Sequence, residues 1–256
     1  MRALWLTVGA LLSVAAVVIS TGLVWTGFAR ARPPMETSVR AIPFQARAPL
    51  KINAGRGDVH VSMHAGEAGV IVVERRLEWS REKPAVVEDW DGGALRLESS
   101  CAGIGVSDEA ICQVNYDLYV PQETDVEIST STGWISIDGL RGDVRATSIS
   151  GDVAIRETPG SVWARSGSGS IWGDDLRAAE ADAQVDSGRV ELSFRTAPTR
   201  VSAVVTTVGD VSVNVPKGAY DVSASGPDIL VMIADDPASP RKVTTRTPEG
   251  TIHVCC

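Results

Sequence analysis

Four residue types in this chain could do chemistry, and their spacing limits what each could do. Two pairs of carboxylates stand close together, Asp174-Asp175 and Asp182 with Asp186. Hydrolysis of a polysaccharide needs two carboxyls held about 5–10 Å apart, so an enzyme reading would rest on these acids. Adjacent residues of a strand face opposite sides, and Asp174-Asp175 falls at a corner, so the expectation is no enzyme. His60 and His64 are four apart. In a strand that is about 13 Å, too far to share an ion, and His253 is remote, so no metal and no cofactor are expected. Cys101 and Cys112 enclose CAGIGVSDEAIC without a CxxC or a nearby His that zinc would require. They are a candidate disulfide in an oxidising compartment, worth roughly 2–3 kcal/mol, or two buried thiols in a reducing one. Cys255-Cys256 are adjacent, a spacing that disulfides rarely span. Arg56-Gly57-Asp58 has the form of an integrin tripeptide and the position of a repeat corner. Trp134, Trp163 and Trp172 are candidate surface aromatics that could stack on a sugar or pack on a protein. The alternative is that they only cover an outer face, since scattered apolar surface is normal.

The elements that must carry these residues follow from a repeat. STGWISI, ISGDVAI, SGSIWG, DSGRVEL and TVGDVSV recur with Gly133, Gly151, Gly169, Gly188 and Gly209 at the corners, spaced 18, 18, 19 and 21. Before each of the first four glycines stand Val126/Ile128, Val144/Ala146, Val162/Ala164 and Ala181/Ala183. After them stand Ile135/Ile137, Val153/Ile155, Ile171/Gly173 and Val190/Leu192. Alternation of period two marks half-buried strands, and a fixed period marks a stack of repeats. The predicted fold is all-β: a parallel β-solenoid of roughly 18–20-residue coils, each rising about 4.8 Å. An antiparallel sandwich is the rival. By strand parity Trp134 and Trp163 lie outside the inward columns. Fainter echoes of the phrase occur at Gly226 and Gly250.

Around this core the chain divides into 1–28, a linker at 29–49, an N-terminal β segment at 50–124 and the repeats at 125–254. Residues 4–28 carry no charge and have Trp5 and Trp25 near their ends. A run of this length predicts a transmembrane helix, longer than the apolar core of a signal peptide. Pro33, Pro34, Pro43 and Pro49 make 29–49 an extended linker. Arg30, Arg32, Arg40 and Arg47 would draw the domain to the cytoplasm by the positive-inside rule. The short N-terminal tail and the cysteine pair point the other way, and the expected location is a single-pass bacterial cell membrane protein with its C-terminal domain extracytoplasmic. The net charge of −8 argues against nucleic acid, which needs a basic face. LKINAGRGDVHV at 50–61 reads as strand–turn–strand, with Gly57-Asp58-Val59 matching Gly151-Asp152-Val153.

SGDVAI, SGSIWG, SGRVEL and VGDVSV, led by CQVNYDLYVPQETDVEIST, resemble a bacterial family of membrane-anchored β-strand-repeat proteins labelled "putative adhesin" or domain of unknown function. The resemblance covers roughly residues 50–254. It implies a β-helix-like domain outside the membrane and no catalytic site. The expected function is therefore a non-catalytic binding, adhesion or envelope-structural module, with the membrane and a cell-envelope protein or polysaccharide as partners. A cytoplasmic tethered scaffold resembling bactofilins, and a polysaccharide-active β-helix enzyme, are the alternatives.

Overall fold

The computed structural model describes residues 13–24, 33–45, 48–100 and 111–256, with the side chains of 56–58 left aside. Contacts divide the chain into two units, Met1–Pro34 and Met35–Cys256. The first contains a helix over 13–24. No described helix is long and apolar enough to cross a membrane. The expected single-pass anchor, and the location built on it, are corrected accordingly. The uncharged run and its flanking tryptophans predict a span; among the described residues the helix covers 13–24.

The second unit is mostly β. It begins with β1 (Met35–Pro43), β2 (Leu50–Gly66), β3 (Val70–Trp79), β4 (Ala85–Trp90), β5 (Ala94–Ser100) and β6 (Cys112–Pro121). Residues 35–43, expected within the linker, pair as β1 antiparallel to β3 along its length. Ile42, the last residue but one of β1, and Phe44, just beyond it, are buried. From there the repeats run as β7 (Val126–Thr132) and β8 (Ile135–Asp138), β9 (Val144–Ser150) and β10 (Val153–Arg156), β11 (Val162–Ser168) and β12 (Ile171–Leu176). They continue as β13 (Glu180–Ser187) and β14 (Val190–Phe194), then β15 (Arg200–Val208) and β16 (Val211–Asn214). β17 (Ala219–Ser225), β18 (Asp228–Val231), β19 (Ala234–Asp235), β20 (Lys242–Arg246) and β21 (Thr251–Cys255) complete the unit.

Each repeat gives its first strand to one ladder and its second to another. From β7 onward all pairings are parallel, in the register of the repeat: Val126 against Val144, Val144 against Val162, and Ile135 against Val153 against Ile171. Among the described residues, antiparallel pairing occurs only among β1, β3 and β6 and between β4 and β5. The inward residues form continuous columns. One runs Ile128, Ala146, Ala164, Ala183, Ala203, and another Ile135, Val153, Ile171, Val190, Val211, Ile252; all are buried. Burying each large aliphatic residue contributes about 1.5–3 kcal/mol, and the small alanines let the two ladders approach.

The corners explain the Gly-Asp-Val phrase. Gly188 and Gly209 have φ of 138° and 144°, and a Cβ on either would overlap the carbonyl oxygen of the glycine one repeat earlier. The aspartate that follows closes the joint. Asp152 Oδ1 accepts the Ser170 amide at 2.8 Å, and Asp210 Oδ1 accepts the Thr251 amide at 3.0 Å. At the opposite corner Asp125 accepts from Asp143, and Asp143 from Ser161, both at 2.8 Å.

Two segments enter the stack out of chain order. β2 is one bent strand, not strand–turn–strand. Its start lies between β5 and β7, its end between β6 and β8, with a register shift between Ala54 and Asp58. Val61 pairs with Ile135, so Val59, and not Gly57, stands in the glycine column beside Gly133. At the other end β20 and β21 slot between β15–β16 and β17–β18.

Candidate functional site

The second-strand ladder turns one row of side chains outward: Ser136, Ala154, Trp172, Glu191 and Ser212, in register across five repeats. The next outward row carries Asp138, Arg156 and Asp174. Trp134 stands one residue ahead of β8, two repeats from Trp172. The two indoles nevertheless meet, with ring centroids 6.5 Å apart and planes tilted by 46°. The intervening repeat makes this possible by placing Ala154 there, an outward residue that is only 2% exposed. A larger side chain would prop the rings apart. Beside them lies a groove of about 360 Å³ lined by Trp134, Trp172, Arg156, Asp174, Glu191 and Ser193 over Ala154 and Gly173, within the size range of small-ligand clefts.

The first-strand ladder treats its tryptophan differently. Trp163 lies in register with Arg145 of the preceding repeat and Asp182 of the following one. The Arg145 and Arg165 guanidinium carbons stand 4.1 and 4.3 Å from its ring centroid. Arg165 is itself held by Asp182 at 2.6 Å and by the Ala164 and Asp182 carbonyls. Cation–π contacts of this kind are worth about 0.5–1 kcal/mol at an exposed site. The ring of Trp163 is thus occupied by its own protein, whereas Trp134, 44% exposed, faces solvent.

The expected acid pairs do not act as pairs. Asp175, at φ 52°, lies 3.5 Å from Arg195, Asp182 binds Arg165, and Asp186 accepts the Thr206 hydroxyl at 2.8 Å. Only Asp174 of the four lines the groove. His64 is 3.9 Å from Asp117, with its ring centroid 5.4 Å from that of Tyr119. Among the described residues no three His, Cys, Asp or Glu side chains gather as a metal site. Cys112 opens β6, and Cys101 lies outside the described residues. Cys255 and Cys256 are free thiols.

Sequence reasoning missed Arg156, Glu191 and Ser193 as groove residues. The signal was present, because Glu191 occupies in its repeat the place of Trp172, but an isolated charge on an outward row reads as solvated surface. It also missed a half-buried polar knot in the N-terminal strands. Arg75 binds Glu88 at 2.7 Å, and the Tyr116 hydroxyl donates to the same carboxylate at 3.3 Å. Burial, then the Glu88 charge, pushes the Tyr116 phenol well above its usual range.

No family model and no curated protein matches the chain. Among solved structures it is similar to a putative cell adhesion protein from Clostridium sporogenes, at 13% identity over 87% of this chain and 99% of that one, with a TM-score of 0.36. It is similar to a putative adhesin from Bacteroides fragilis, at 13% identity over 87% and 98%, with a TM-score of 0.46. A third is a putative adhesin from Parabacteroides merdae, at 11% identity over 86% and 96%, with a TM-score of 0.40. Solved structures similar to this chain thus carry the same adhesin description as the family named by the repeat motifs, and at these scores the likeness carries no argument about the site.

Proposed function

We propose that this chain is a parallel β-solenoid serving as a non-catalytic binding module of the adhesion kind, which meets its partner through the outer face bearing Trp134 and Trp172. The observation that carries this reading is the contrast between the two ladders. One outer face presents an aromatic pair beside uncommitted polar groups, and the other has spent its tryptophan on two arginines. The partner is a cell-envelope protein or polysaccharide. Beads carrying the full chain should adhere to isolated bacterial envelopes. The doubly substituted W134A/W172A chain should lose most of that adhesion, and W163F should keep it. Equal adhesion by all three chains would remove the face from the account.

The disulfide of Cys101 with Cys112 belongs to the same proposal. Thiol titration of the denatured, unreduced chain should count two thiols, those of Cys255 and Cys256. Four would contradict it.

A further inference from the structure

The groove beside the tryptophan pair has enough chemistry to name a class of ligand, and this step rests on the binding-module reading above. Over much of this surface charges are spent on one another: Lys51 with Glu127 at 3.6 Å, Arg165 with Asp182 at 2.6 Å, Arg189 with Asp210 and Arg195 with Asp175 at 3.5 Å. In the groove they are not. Arg156 stands in register between Asp138 and Asp174. Yet among the described residues the side chains of Arg156, Asp174, Glu191 and Ser193 make no hydrogen bond or ion pair. The groove therefore holds two carboxylates that only accept, one guanidinium that only donates and one hydroxyl that does both. The two indoles stand beside them.

That inventory sorts the candidate ligands. A phosphate or sulfate would meet two negative charges against one positive. A compact cation would be attracted by the carboxylates and indoles but opposed by Arg156. A proline-rich peptide, whose backbone offers mainly carbonyl acceptors, would leave both carboxylates without a donor. A sugar ring answers every group. Its vicinal hydroxyls donate to a carboxylate and accept from a guanidinium at once, and its polarised C–H face lies against the electron-rich face of an indole. We propose that the groove between Trp134 and Trp172 binds a neutral oligosaccharide, stacked on the indoles and held through its hydroxyls by Arg156, Asp174, Glu191 and Ser193.

The test is titration of the full chain, followed by tryptophan emission, with neutral tetrasaccharides: β-1,4-linked glucose, β-1,4-linked N-acetylglucosamine and α-1,4-linked glucose. A polyproline peptide and inorganic phosphate run in parallel. At least one tetrasaccharide should give a saturable change. W172A should weaken it tenfold or more, as should the near-isosteric pair Asp174→Asn and Glu191→Gln, which alters exposed side chains and leaves the core intact. W163F should bind as the parent does. No saturable response to any tetrasaccharide, a response to peptide or phosphate alone, or a saccharide response unchanged by W172A would each overturn the proposal. Adhesion that is lost in W134A/W172A while no tetrasaccharide binds would sink the saccharide class and leave the binding face standing. Recovery of cleaved sugar would overturn the non-catalytic reading instead.

Discussion

Gly188 shows at the scale of one residue why the repeat tolerates no side chain at its corner. Its φ of 138° is a conformation that L side chains rarely adopt, and a Cβ would overlap the Gly169 carbonyl. Backbone strain of that kind costs about 1–3 kcal/mol before any clash is counted. Gly188→Ala should therefore lower the unfolding free energy read from urea titration by more than about 1 kcal/mol, whereas Gly93→Ala, with open space around it, should change little. Asp210 makes a second prediction. Its bond from the Thr251 amide, then that from the Thr251 hydroxyl, holds its carboxyl below the usual carboxylate range. A depressed folded pKa contributes stability that is present above the unfolded value and is lost as pH falls through the folded one. Acid should thus weaken the stack below about pH 4. Asp210→Asn, which still offers an acceptor oxygen, should make the melting temperature less sensitive over that range. An identical acid profile in parent and variant would contradict the assignment. The glycine column was legible in the sequence because its period is nearly fixed. The aspartate joints were not, since Asp after Gly reads equally well as a turn former.

At the scale of elements, the two segments placed out of chain order lock the stack. β2 is held between β5–β6 and β7–β8, and β20–β21 between β15–β16 and β17–β18. The chain's last strands are therefore interior rungs, while β18 is an edge whose Ile229 and Leu230 remain 41% and 53% exposed. Hydrogen exchange should follow position in space. Amides of Val243–Thr245 and Ile252–Val254 should be protected like those of β15 and β16, and those of Asp228–Val231 should exchange much faster on their open side. Fast exchange throughout 242–255 would show that the terminal repeat is not inserted. Strand alternation was readable in 242–254, but the order of rungs was not. Pairing register is decided by which columns match, and Val243 and Ile252 fit the same columns as Val222 and Ile229. The uncharged N-terminal run misled for a related reason. Apolar length and flanking tryptophans predict a spanning helix, while no helix among the described residues is long and apolar enough to cross a membrane.

The repeats of the second unit present two unlike faces, built from one phrase by its outward positions. Inward positions were fixed by alternation and are the part of the fold most open to sequence reading. Outward positions carry no such period, so neither the Arg145–Trp163–Arg165 contact nor the meeting of Trp134 with Trp172 across Ala154 could be read before rungs were aligned. Photo-crosslinking separates the faces most directly. A benzophenone side chain at Ser212 lies in the row of Trp172, and one at Ser202 lies in the row of Trp163. With the full chain bound to bacterial envelopes, Ser212 should give crosslinked adducts and Ser202 should give none. Adducts from Ser202 alone would place the binding surface on the opposite face and contradict the central claim.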